Sequence, residues 1–119
     1  MTRESRSPDF TTAEKSSAYD AIMPLLRAMF REFQDLSKKK PDGALTKNKV
    51  LIVNRLLTDV ISILDTEPNR EYLNLFEDGE LPQNSDAVLM LGQAVAAMER
   101  FHERYYGGSD VNYRWAIKD

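Results

Sequence analysis

Apolar residues recur at intervals of three and four along three long stretches of this chain, which is the spacing of one face of an α-helix. The first stretch runs from Ile22 to Leu36, the second from Val50 to Leu64, and the third from Val88 to Tyr105. A shorter apolar cluster follows Pro68, and Pro24 predicts either a kink or a break within the first stretch. The pattern therefore predicts an all-α fold, an irregular bundle of four to five helices.

Residues that cap helices stand near the ends of these stretches. Thr11 and Glu14 have the spacing of a capping box, which predicts a helix start near residue 12. Thr46 is the expected N-cap of the second long helix and Ser85 that of the last one. Gly107-Gly108 predicts the end of the last helix, because glycine readily adopts the left-handed conformation that closes a helix.

The second stretch is apolar on more than one face, since Ile52, Leu56 and Ile63 lie beside its main apolar stripe. A helix of this kind usually lies at the centre of a core, so we expect the segment from Ile52 to Leu64 to be the most buried element. Asn54 falls on this stripe and is predicted to be a buried polar residue. Its amide needs a hydrogen-bond partner, which is either a loop of the same chain or a binding partner.

The chain has 119 residues, no cysteine and a single histidine, His102. The lack of cysteine excludes disulfides, thiolate metal sites and cysteine nucleophiles, and one histidine excludes a two-histidine metal site. His102 lies on an apolar helical stripe with Met98 and Tyr105, a position typical of a packed core residue. We assign no catalytic residue, no metal ligand and no cofactor.

The sequence shows no targeting or membrane signal. The N-terminal residues are charged and polar without a following apolar stretch, and no apolar run approaches the ~20 residues that span a bilayer. We therefore expect a cytoplasmic protein without a membrane partner.

Composition along the chain predicts three parts. Residues 1–10 are expected to form a flexible N-terminal arm, residues 11–108 a helical domain, and residues 109–119 an extended C-terminal arm. The last part alternates with a period of two, typical of a strand, and it carries Tyr113 and Trp115. These two aromatic residues are candidate partner-binding residues if the arm pairs with another chain, and packing residues if it lies on its own bundle.

Charge is unevenly distributed. Residues 27–55 hold eight basic and three acidic side chains, whereas residues 59–86 hold eight acidic and one basic. Separate basic and acidic regions can steer charged partners towards a protein. Solvated charges that suit the dipoles of nearby helix ends would give the same distribution. Five lysines around the predicted turn between the first two long helices are candidate partner-binding residues: Lys38, Lys39, Lys40, Lys47 and Lys49.

These features together predict a small helical protein-binding module, such as an accessory, regulatory or immunity or antitoxin-like subunit. The partner is another protein, with a homo-oligomer included in that expectation. One alternative is a nucleic-acid-associated subunit that uses the Lys38 to Lys49 turn, although the acidic isoelectric point of about 5.2 argues against it. Another alternative is an enzyme centred on His102.

Overall fold

The computed structural model describes residues 9–77, 79, 81–107 and 114–118. Three α-helices are present in this part of the chain: α1 (Ala13–Lys39), α2 (Lys47–Ile63) and α3 (Asn84–Tyr105). A single 3-10 helix, Pro68–Tyr72, lies between α2 and α3. The described residues contain only isolated β-bridges and no strand, so the predicted all-α class is confirmed.

The number of helices is smaller than the predicted four to five. Pro24 lies inside the 27-residue helix α1, which continues through it. The proline ring is exposed, while Met23 and Leu26 beside it are buried, so packing on both sides of Pro24 holds α1 together. The predicted short helix after Pro68 is only a 3-10 helix, and the chain from Leu73 to Glu77 is irregular.

Capping explains where the helices begin. The Thr12 side chain, not that of Thr11, accepts the N–H of Lys15 at the start of α1. Thr46 accepts the N–H of Lys49 as predicted for α2. The N-cap of α3 is Gln83, two residues before the predicted cap Ser85, and the helix begins at Asn84.

At the start of α3 the Asp86 carboxylate accepts the backbone N–H of Gln83, the N-cap residue, at 2.9 Å. This bond satisfies a donor that the helix itself cannot pair. Gly107 follows the end of α3 with a φ of 83°, a left-handed conformation that favours glycine.

Helices α1 and α3 form the tightest pair in the core. A Cβ atom added at Gly92 of α3 would lie 3.3 Å from the Phe30 ring of α1, so the small residue allows the two helices to approach. Around this contact Leu26, Leu91 and Met98 are fully buried. Helix α3 buries seven apolar residues and α2 buries six, so the core is shared between them and is not centred on α2 alone.

The described C-terminal residues pack against the helical domain of the same chain. The N–H of Ala116 donates to the Tyr105 carbonyl at 2.7 Å, and the N–H of Gly107 donates to the Arg114 carbonyl at 2.8 Å. Thr11 donates to Ala116 and accepts from Lys118, both at 2.9 Å. Residues 114–118 therefore tie the end of α3 to the chain just before α1.

Candidate functional site

The five candidate lysines lie at one end of the molecule. Lys38 and Lys39 end α1, Lys40 follows it, and Lys47 and Lys49 begin α2. All five are exposed. The end of α1, the turn after it and the start of α2 therefore carry five exposed ammonium groups.

The loop that carries this surface is fixed against the start of α3. The Asn84 side-chain amide donates to the Lys40 carbonyl at 2.9 Å, and the Asn84 N–H donates to the Gly43 carbonyl at 2.8 Å. Leu45 also donates to the Pro82 carbonyl at 2.8 Å. Asn84 is buried and fixes the loop through these bonds. The sequence did not predict this role, because Asn84 stands in a polar turn.

Asn54 is half-buried rather than buried, and both the nitrogen and the oxygen of its amide form a hydrogen bond within the chain. Its Nδ2 donates to the Phe76 carbonyl and its Oδ1 accepts the Phe76 N–H, both at 2.8 Å. This pair satisfies a loop backbone that has no helical partner. Of the two roles considered for Asn54, the structure shows the intramolecular one.

Trp115 lies in an aromatic cluster of its own chain. Its ring is half-buried, 5.1 Å from the Tyr19 ring and 5.8 Å from the Phe101 ring, and its Nε1 donates to Asp20 at 3.2 Å. The structure therefore places Trp115 as a packing residue. Tyr113, the other aromatic candidate of the arm, lies outside the described residues.

His102 belongs to the same cluster. Its ring stacks on Tyr106 at 4.4 Å and on Tyr19 at 5.4 Å, and it is half-buried. Beside it lies a cavity of about 580 Å³ that is also lined by Asp20, Arg27 and Glu99.

Three charged groups of that cavity already contact partners in the chain, since Asp20 accepts from Trp115 and Arg27 pairs with Glu99 at 3.5 Å. The arrangement around His102 is therefore that of a packed aromatic residue. Nowhere among residues 9–77, 79, 81–107 and 114–118 do three histidine or carboxylate side chains lie together as metal ligands would.

An open, mostly apolar groove with a cavity volume of about 530 Å³ lies between α1 and α2. We call it the α1–α2 groove. Leu25 of α1 and Ile52 of α2 line it, and these side chains are 58% and 43% exposed. Two large aliphatic side chains are thus left partly in water beside one cavity.

Four charged residues stand around this groove: Glu32, Lys49, Arg55 and Asp59. All are exposed, and none of the four ion pairs found among the described residues includes one of them. The groove therefore has an apolar floor and carries charges of both signs. These charges have no ion-pair partner among the described residues, so they are solvated in the isolated chain.

The second apolar stripe of α2 predicts that Ile52 is a core residue, and for this residue the prediction is wrong. In the structure Val53, Leu57 and Val60 are fully buried, whereas Ile52 faces the groove. The second apolar face of α2 is thus only partly covered by the rest of the described chain.

A buried carboxylate links the 3-10 helix to α3. Glu67 is only 7% exposed; its Oε1 accepts from the Arg104 guanidinium and its Oε2 from the Tyr105 hydroxyl, both at 2.9 Å. Burial, together with the bond to Glu67, raises the pKa of Tyr105 to about 12. Arg104 also pairs with Asp9 at 3.0 Å, so the cluster joins three separate parts of the chain.

No described helix is both long and apolar enough to cross a bilayer. In comparisons with protein-family models, with curated proteins and with solved structures, nothing matches this chain.

Proposed function

We propose that this chain is a small cytoplasmic protein-binding module that acts through protein–protein interaction, with the α1–α2 groove as its binding surface. The observation that carries the proposal is the exposure of Leu25 and Ile52 on the two sides of one apolar cavity. Burial of such side chains is the main favourable term in protein association.

The groove has the dimensions of a helix-binding site. Along α2 it extends from Lys49 to Asp59, a rise of about 15 Å, or nearly three helical turns. A helix laid in such a groove presents apolar anchors three and four residues apart, and a rim of charges fixes its direction. Glu32, Lys49, Arg55 and Asp59 supply that rim.

Affinity capture with matched variants tests this proposal. The wild-type chain, Ile52→Glu and Leu89→Glu are compared as baits in extract from the native host, and captured proteins are quantified by mass spectrometry. Leu89 is 65% exposed on α3 and lines a different cavity together with Leu81, so its substitution tests whether a lost partner is specific to the α1–α2 groove. We expect Ile52→Glu to lose a partner that wild type and Leu89→Glu retain. A partner set unchanged in Ile52→Glu contradicts the proposal.

The exposed lysine surface favours a second candidate function, association with nucleic acid. Several ammonium groups at one end of a protein can contact successive phosphates, and such binding weakens steeply with salt. Replacing Lys38, Lys39 and Lys40 by Gln should then abolish salt-dependent retention on nucleic acid. The melting temperature should stay nearly unchanged, because these exposed side chains contribute little to stability. Equal retention of the triple variant and the wild type rejects this candidate.

A further inference from the structure

We propose that the occupant of the α1–α2 groove is a second copy of this chain, related by a two-fold axis that passes between the two copies of α2, level with the midpoint between Ile52 and Leu56. The inference rests on the proposed function, since it takes the groove to be a protein-binding surface. It adds the identity of the partner and the direction in which the partner lies.

The argument begins with the stripe that α2 presents to the groove. Lys49, Ile52, Leu56 and Asp59 all line it, and their spacing of three, four and three places them on one helical face. The stripe has a basic residue at one end, an acidic residue at the other, and aliphatic residues between them. Its two charges are equally far from its centre.

A two-fold interface must be complementary to itself, because the same patch faces its own copy. When a second α2 lies antiparallel on the first, Lys49 of each chain stands opposite Asp59 of the other. The exposed Ile52 side chain of each then packs over Leu56 of the other, which is itself mostly buried. A parallel arrangement would instead place Lys49 against Lys49 and Asp59 against Asp59. The order of Lys49 and Asp59 therefore favours the antiparallel dimer over the parallel one.

Helix α1 supplies the second half of the same face. Lys15, near the start of α1, pairs with Asp65, just after α2, at 2.6 Å, so the two helices run in opposite directions. The axis that reverses α2 on its copy also reverses α1 on its copy. Leu25 and Met29 line the groove on α1, and in this dimer Leu25 of each chain lies opposite Met29 of the other.

The state of the rim charges in the single chain supports a second copy. Neither Lys49 nor Asp59 takes part in the ion pairs of the described residues, and both are exposed. In the dimer each of them meets an opposite charge at the edge of the interface. Such charge pairs fix how the two helices are aligned along each other. A foreign helix would need a matching charge order of its own, whereas this chain already has one.

Sedimentation equilibrium of the full-length protein, from micromolar to millimolar concentration, tests the proposal. We expect the wild type to dimerise, Ile52→Glu to be monomeric, and Leu89→Glu to dimerise as the wild type does. Helical circular dichroism of each variant verifies folding, which Ile52→Glu should retain because that side chain is 43% exposed. A monomeric wild type, or a dimer that Ile52→Glu leaves intact, overturns the proposal.

Charge exchange tests the direction of the two chains. Lys49→Asp alone and Asp59→Lys alone each place like charges together at both ends of the antiparallel dimer, so each should raise its dissociation constant about tenfold at low salt. The double variant Lys49→Asp with Asp59→Lys restores opposite charges and should dimerise nearly as the wild type does. A double variant no better than the single ones overturns the antiparallel arrangement.

Failure of this inference is distinguishable from failure of the proposed function. If the wild type is monomeric while Ile52→Glu still loses a captured protein, the groove binds a different protein and only the second copy is wrong. If the wild type is monomeric and Ile52→Glu loses no partner, both proposals are wrong.

Discussion

The hydroxyl of Tyr105 donates a 2.9 Å hydrogen bond to Glu67, and both side chains are buried. A buried carboxylate is costly unless it is paired, and Glu67 meets this requirement with the Arg104 guanidinium on its other oxygen. Because Glu67 directly precedes the 3-10 helix, these bonds hold the α2–α3 connection against the end of α3. The local order of this connection therefore depends on two side chains of α3.

Tyr105→Phe should lower the free energy of unfolding by about 1–3 kcal/mol, since it leaves an oxygen of the buried Glu67 carboxylate with only a 3.3 Å bond from Thr66. Urea unfolding measures the change. Tyr72→Phe, at a tyrosine that is 69% exposed, is the control and should be neutral. A Tyr105→Phe variant as stable as this control would show that the bond contributes nothing.

The raised pKa of Tyr105 predicts a loss of stability in alkali. The unfolded chain releases the phenolic proton near pH 10, whereas the folded chain holds it until about pH 12. The unfolded state therefore binds fewer protons between these values, and the free energy of unfolding falls as the pH rises from 10 to 12. This decline should be smaller in Tyr105→Phe, as unfolding curves at several pH values will show. Parallel declines in the two proteins would contradict the shift.

Leu57→Ala should cost about 2–5 kcal/mol of stability, because Leu57 is fully buried and its truncation leaves a cavity. Leu51→Ala, on the same helix at a side chain that is 59% exposed, should change stability by less than about 1 kcal/mol. Denaturant unfolding compares the two. Equal effects would mean that the buried face of α2 is misassigned.

Trp115→Ala should lower stability by about 2 kcal/mol, less than for a fully buried tryptophan, because this ring is half-buried against Tyr19 and Phe101. Arg114→Ala, at an exposed neighbour, is the matched control. Thermal unfolding followed by circular dichroism measures both. If Trp115→Ala melts like the control but loses association, the tryptophan is an interface anchor instead.

Features that depend on neighbouring residues in the chain were predictable from the sequence. The start of α2 after Thr46 follows from one side chain that caps a nearby N–H, and the α-helical class follows from the apolar period. The sequence did not show which of two adjacent threonines caps α1. Thr12 caps it, and not the predicted Thr11. Thr11 instead bonds to the backbone of Ala116 and Lys118, which are far away in sequence.

The sequence by itself determined the three long helical segments and that Asn54 needs a partner for its amide, but it did not determine the number of helices. Only the tertiary structure decided that this partner is Phe76, that Trp115 packs on its own chain, and that Ile52 is left facing a groove. Periodicity shows that a helix has an apolar face, because side chains three and four apart share a side. Whether that face is covered depends on how far the other helices reach around it, which is set by contacts between distant residues such as Phe30 and Gly92.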